Sequence, residues 1–317
     1  GQDRRQIHPQ YRLYSLIDGC SFRRGQSASS IQPSRFVIQA EYYGIPQTRH
    51  RVILLGLRED LASLFDRLSC PFPCLSPLTG PEGQQPSVST RQVLAGLPPL
   101  RSGLSWLQTT YLRGDWRQTL TALAADFGPK IEDLELRAAF EQAALQAAAA
   151  DLPTGGRSVP AADGTAGGAD PPTKLAAWYR GSDPPLVLNH ETRNHMPEDL
   201  ARYLFCAVYA KLKGVSPKAN QFPAALAPRH RNWETGKFDD RFRVQVADQP
   251  ATTVMSHMAK DGHYFIHHAP AAMSERPAAH TVPCLAPALE KRRRVKCDRR
   301  TSSCICPKPS TTIWQIG

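Results

Sequence analysis

Two arginines and a glutamine alternate with other residues in Gln47-Thr48-Arg49-His50-Arg51, between Gly44-Ile45-Pro46 and Val52-Ile53-Leu54-Leu55-Gly56. In extended chain, side chains two apart share a face, so Gln47, Arg49 and Arg51 are expected to project together. A guanidinium stays charged and presents its donors as a planar fork, which suits an anion or the edge of a base. Gly44 and Pro46 are turn residues. Val52 to Leu55 are four apolar residues bounded by polar residues and glycine, the pattern of a strand buried on both faces. The expectation is a pair of cations and an amide at the mouth of a buried strand, a poor place for solvated charge. The plainer alternative is a basic strand start that only touches solvent.

A second group of candidates lies about 200 residues further on. Pro250-Ala251-Thr252-Thr253-Val254-Met255-Ser256 is followed by Lys260-Asp261-Gly262-His263-Tyr264-Phe265-Ile266-His267. Asp261-Gly262 between two β-prone runs reads as a hairpin turn. Taken by themselves, Thr252 and Thr253 read as ordinary strand threonines. Upstream, Pro228-Arg229-His230-Arg231-Asn232-Trp233 and Gly236-Lys237-Phe238-Asp239-Asp240-Arg241-Phe242-Arg243 interleave cations with aromatics, a composition suited to phosphates and stacked bases. His190-Glu191-Thr192-Arg193-Asn194-His195 has metal-ligand residue types but not the helical His-Glu-x-x-His spacing. Hydrogen bonding at a helix start is the preferred reading there.

The block from Gly44 to Leu55 closely resembles the eighth of ten ordered motifs in the bacterial DNA (cytosine-5-)-methyltransferases, Gly-[Ile/Val]-Pro-Gln-x-Arg-x-Arg before an apolar strand. Pro250 to Ser256 and Lys260 to His267 resemble the end of that family's target-recognition region, in the same order along the chain. The resemblance covers about residues 1–68 and 186–268. It implies methylation of cytosine C5 in duplex DNA from S-adenosylmethionine, with the target base rotated out of the stack. It further implies that Arg51 contacts the cytosine and offsets charge developing on the ring, that Arg49 supports the site and the DNA backbone, and that Gln47 fixes the loop. Gln47, Arg49, Arg51, Thr252 and Thr253 are the implied DNA contacts.

Other family motifs have no counterpart. The chain contains no Phe-x-Gly-x-Gly cofactor loop, no Glu-Asn-Val and no Pro-Cys-Gln. Pro73-Cys74-Leu75 and Pro283-Cys284-Leu285 differ from the nucleophile motif and follow the eighth motif rather than preceding it, so neither cysteine is assigned that role. The implied picture is a C-terminal portion of such an enzyme, inactive alone. Either a separate chain with the N-terminal motifs supplies the thiolate and the S-adenosylmethionine site, or the chain is a remnant. A non-catalytic DNA-binding module is the competing reading, and a zinc protein built on the C-terminal cysteines is a third.

The elements that must hold these residues follow from the patterning. The fold class expected is α/β: part of a Rossmann-like methyltransferase sheet in residues 1–68, then a loop-rich α+β target-recognition region in residues 69–268. Strands are expected at Tyr11 to Ile17, Arg35 to Ala40 and Val52 to Leu55, and a helix at Asp60 to Leu68 with Leu61, Leu64, Phe65 and Leu68 on one face. Residues 70–128, rich in Pro and Gly with scattered Trp106, Tyr111, Trp116 and Phe127, read as irregular. Ile131, Leu134, Ala138 and Leu145 keep helical spacing. Residues 151–172 read as a flexible insert. Pro197 to Gly214 carries every helix signal: Pro at the first position, Glu198 and Asp199 in the first turn, Lys211 and Lys213 in the last, and Leu200, Leu204, Val208 and Leu212 on one face.

Composition is compatible with this picture. The 317 residues carry a net charge of +11, as suits a polyanion partner. Residues 269–317 hold nine Lys/Arg against three Asp/Glu and four of the eight cysteines. They read as an atypical basic tail, disordered and of frameshifted or foreign origin. The cysteines show no paired Cys-x-x-Cys spacing. There is no signal peptide and no apolar run of the roughly 18 residues a membrane helix needs, so a cytoplasmic location is expected.

Overall fold

In the computed structural model, the described residues are 9–68, 72–81, 85–94, 97–105, 115–150, 152–160, 186–229, 233, 242–253 and 266–268. Several small sheets and a cluster of helices give an α/β chain. The expected hairpin around Asp261-Gly262, the basic tail and most of the basic-aromatic run from Arg229 to Arg243 lie outside the described residues, as do Trp106 and Tyr111.

The chain begins as strands. Strand β1 (Tyr11–Tyr14) pairs antiparallel with β2 (Ser21–Phe22) and, across its other edge, with β6 (Leu55–Arg58). Between them β3 (Val37–Gln39) pairs antiparallel with β5 (His50–Val52), while β4 (Gln47–Thr48) turns to a different partner. Helix α1 (Glu59–Leu68) follows β6 directly and packs on one face of this sheet. There Arg12, only 5 % exposed, bonds to Glu59 and lies 2.8 Å from an Asp66 carboxylate oxygen. The Glu59 hydrogen bond, then that from Asp66, holds its guanidinium above the ordinary arginine range. Tyr14 stacks on Phe72 beside it.

The expected doubly buried strand is not formed. Strand β5 ends at Val52 and β6 starts at Leu55, and Val52, Ile53, Leu54 and Leu55 are 37 to 59 % exposed. Each of the two strands pairs on one side only among the described residues, and no layer covers the run between them. Leu61, Leu64 and Leu68 of α1 are likewise exposed, and the helix buries Ala62 instead.

The main apolar core is helical. It is built from α3 (Trp116–Phe127), α4 (Leu134–Ala149) and α5 (Pro197–Lys213), after a short α2 (Thr90–Leu94) and strand β7 (Gly103–Leu104). Helix α3 starts in the segment read as irregular. Asp115 accepts a hydrogen bond from the Gln118 amide at 2.7 Å, and Gln118 Oε1 in turn accepts one from the Asp115 amide. This reciprocal capping box satisfies two amides the helix leaves unpaired. Trp116 Nε1 donates to the Ala147 carbonyl at 2.9 Å and ties α3 to α4.

Helix α4 exists where its spacing predicts, but presents the opposite face. Leu134 and Leu145 are exposed, and Leu136, Phe140, Ala143, Ala144 and Ala147 are buried. A row of alanines lets the neighbouring backbones approach closely, so Phe140 with small residues makes the packed face and the leucines do not. Helix α5 matches its expected bounds and is buried nearly all round, through Leu200, Tyr203, Leu204, Phe205, Cys206 and Val208.

Strand β8 (Gly155–Pro160) occupies part of the segment read as a flexible insert. It pairs antiparallel with β9 (Leu186–Glu191) over five registered pairs. Gly155 has φ +81°, and a Cβ there would lie 2.0 Å from the His190 carbonyl oxygen. Glycine at this position is required by close approach and not by flexibility. Strand β10 (Asn194–His195) runs parallel to β7 and leads into α5. Strand β11 (Ala251–Thr252) is the last regular element. No helix among the described residues is long and apolar enough to cross a membrane.

Candidate nucleic-acid interface

The turn before the arginines is built locally. Residues Ala40–Tyr43 form a single 3-10 turn, ended by Gly44 at φ 79°, where a side chain would be strained. The chain then runs through buried Pro46 into β4. Proline has no amide to offer a ladder, so its carbonyl serves instead, accepting the Ala251 amide at 2.9 Å.

That bond starts a parallel pairing of β4 with β11, Ala251 opposite Gln47 and Thr252 opposite Thr48. Side chains lock it. Thr48 Oγ1 donates to the Ala251 carbonyl at 3.2 Å, and Thr253 Oγ1 donates to the Thr48 carbonyl at 2.8 Å. Gln245, 1 % exposed, accepts the Thr252 amide at 2.8 Å through Oε1 and places Nε2 2.9 Å from Thr252 Oγ1. Helix α2 secures the turn before β11: the Thr90 amide and hydroxyl reach the Gln249 carbonyl, and Arg91 pairs with Asp248 at 3.0 Å. Gln47 and the two threonines, about 200 residues apart in sequence, therefore share one joint. The hydroxyls of Thr252 and Thr253 are engaged in holding it.

The arginines are arranged differently from the expectation. Arg51 lies on β5 opposite Ile38 and Arg49 falls between β4 and β5, so the three residues do not alternate along one continuous strand. Pro46 and the pairing to β11 end one short ladder, and the pairing to β3 begins another. Both arginines are exposed and not at the mouth of a buried strand. Arg51 donates to the neighbouring His50 carbonyl at 2.6 Å. No carboxylate pairs with Arg49 or Arg51 among the described residues, whereas Arg12, Arg35, Arg58, Arg91 and Arg202 each have one. Two cations with no counter-charge among the described residues, beside the joint, are equipped to meet an external anion.

One residue at this place escaped the sequence reading. Glu41 is 7 % exposed, and its Oε1 lies 2.6 Å from His50 Nε2. Its Oε2 is buried with no hydrogen-bond partner among the described residues. The pair ties the 3-10 turn to the strand that carries Arg51. The only signal was an acidic side chain within Ala40-Glu41-Tyr42-Tyr43, directly before the glycine.

The two histidines with metal-ligand chemistry serve elsewhere. His190 lies on β9 with Nε2 2.8 Å from the Pro98 carbonyl oxygen, and His195 lies on β10 with Nδ1 2.7 Å from Ser102 Oγ. Burial lowers the pKa of both, that of His195 to about 4. They join the 98–105 segment to the strands that precede α5. No family model, curated protein or solved structure matches this chain.

Proposed function

We propose that this chain supplies the flipped-base contacts and the target-recognition part of a DNA (cytosine-5-)-methyltransferase. The observation supporting it best is the joint of β4 with β11, which brings together the two stretches that separately resemble that family. Arg49 and Arg51 stand next to it with no carboxylate partner among the described residues. Arg51 contacts the extruded cytosine and offsets negative charge as it develops on the ring. Arg49 holds the flanking phosphate, and Gln47 steadies the turn through its ladder. Thr252 and Thr253 keep the recognition segment in register with these groups.

The described residues do not make a site for S-adenosylmethionine. Cofactor sites of α/β sheets use a glycine-rich turn between a strand and the helix after it. The direct strand-to-helix passages, β6 to α1 and β10 to α5, have none. The cofactor loop and the attacking thiolate are therefore assigned to polypeptide outside this sequence. The uncovered apolar run Val52 to Leu55 and the exposed leucines of α1 are where such a layer would pack. A DNA-binding module without catalysis is the second reading, favoured by that same lack of a cofactor turn.

Methyl transfer from labelled S-adenosylmethionine to duplex DNA separates the two, measured with and without a supplied polypeptide bearing the early motifs. The expected result is transfer only in the mixture, with Arg51→Ala lowering turnover far more than DNA affinity. Equal losses in both would make Arg51 a phosphate contact only. DNA affinity should fall with salt at a slope near −0.9 per phosphate contact. A flat salt response would remove both readings.

A further inference from the structure

A cavity adjoins the joint of β4 with β11. It measures about 300 Å³ and opens between the segment after α5 and the segment leading to β11, and Thr252 forms part of its wall. Val215, Phe242 and Val246 give it apolar sides, Lys218 and Arg243 line it with positive charge, and the exposed Gln249 borders it with an amide. Among the described residues no aspartate or glutamate lines it. Neither Lys218 nor Arg243 belongs to an ion pair among the described residues.

We infer that this cavity binds a single nucleotide, with its phosphate between Lys218 and Arg243, its base along the apolar wall, and the base edge at Gln249. The parts match that chemistry and little else. Apolar walls accept a flat ring and reject a hydrated ion. Two cations on separate segments border one cavity, and a primary amide offers the donor and acceptor that a base edge requires. The volume is at the lower end for ligand sites, enough for one nucleotide and too small for a stacked pair. Its position behind Thr252 gives it access to a nucleotide unstacked from DNA held at the joint. A free mononucleotide has the same chemistry.

The test uses the full chain, wild type and the Lys218→Gln/Arg243→Gln double variant, with far-UV circular dichroism to confirm that the variant is folded. Calorimetry compares the four deoxynucleoside monophosphates with their nucleosides and with inorganic phosphate. In parallel, a duplex containing 2-aminopurine reports unstacking by a rise in emission. The expected result is that at least one monophosphate binds tenfold or more tightly than its nucleoside and than phosphate, or that emission rises with the duplex. The double variant should lose that signal by tenfold or more. A monophosphate response alone identifies a free nucleotide, and an emission response identifies one drawn from DNA. Gln249→Ala should reduce the preference among bases while leaving the phosphate contribution. Monophosphates that bind no better than phosphate with no emission change, or a double variant equal to wild type, would overturn the assignment. The mononucleotide titrations contain no duplex and do not involve Arg51, and an emission rise counts for this cavity only where the Lys218→Gln/Arg243→Gln variant abolishes it, so failure of the methyltransferase reading is separable from failure here.

Discussion

The helical cluster and the sheet unit of this protein use similar apolar residues to opposite ends. In α3, α4 and α5 the large side chains are enclosed: Leu120, Leu123, Phe140, Leu200, Leu204 and Phe205 have no exposed surface. Across β5, β6 and α1 the comparable residues Val52, Ile53, Leu54, Leu61, Leu64 and Leu68 remain open to solvent. The first region is a finished core whose caps, Trp116 bond and alanine contacts support one another. The second is held by an ion-paired arginine, short ladders and a tyrosine stack, with its apolar surface unspent. Monomers rarely leave such a contiguous surface without a partner for it. The difference teaches that the helices enclose their apolar surface while the sheet unit leaves its own open.

The comparison can be broken most directly in the core. Phe140→Ala should destabilise by about 3–5 kcal/mol, because a fully enclosed ring leaves a cavity, and urea denaturation will measure it. A smaller effect should come from acid. In the unfolded chain His195 takes up a proton as pH falls through about 6.5, but in the folded protein only near pH 4. The unfolded state binds the extra proton between those values, so stability should fall across that window by up to about 3 kcal/mol, while the His195 contribution stays flat above pH 7. His190 shifts in the same direction. Asp248, held below its ordinary range by Arg91, should add its own loss only under about pH 4. Urea midpoints at a series of pH values test this. Removing the α3 cap with Asp115→Ala should cost about 1 kcal/mol. Smallest of all, Ile53→Ser with Leu54→Ser should change stability by no more than about 0.5 kcal/mol. The same pair should weaken association with a polypeptide bearing the early motifs, measured by sedimentation. A loss of several kcal/mol for that pair would mean the sheet unit is a core after all.

Legibility from sequence followed the reach of each signal. Helix α5 was plain because Pro197, Glu198, Asp199, Lys211 and Lys213 are local marks that need no partner. Helix α1 was found for similar reasons, but not its orientation, since Ala62 is a weak apolar signal and three leucines a strong one. In α4 the leucines again drew the reading to the wrong face. Residues 155–160 looked flexible because glycine is ambiguous until a neighbouring carbonyl is seen 2.0 Å from its missing Cβ. At the candidate interface the residue types were legible: Gln47, Arg49, Arg51, Thr252 and Thr253 were all singled out. Their arrangement was not, because pairing between segments this far apart leaves no periodic trace in either. Gln245 and Glu41 were missed for the same reason, each acting through a partner outside its own pattern.

The bond from Thr253 to Thr48 closes a loop of 205 residues. For a flexible chain of that length, bringing the ends together opposes folding by about 5 kcal/mol. Two residue pairs and a few side-chain bonds are a slender clasp against such a penalty. The clasp therefore depends on α3, α4 and α5 having already gathered the chain between its halves, and it should be among the last contacts to form. Nicking the backbone in that span at a point outside α3, α4 and α5 is expected to unfasten it while the bundle stays folded.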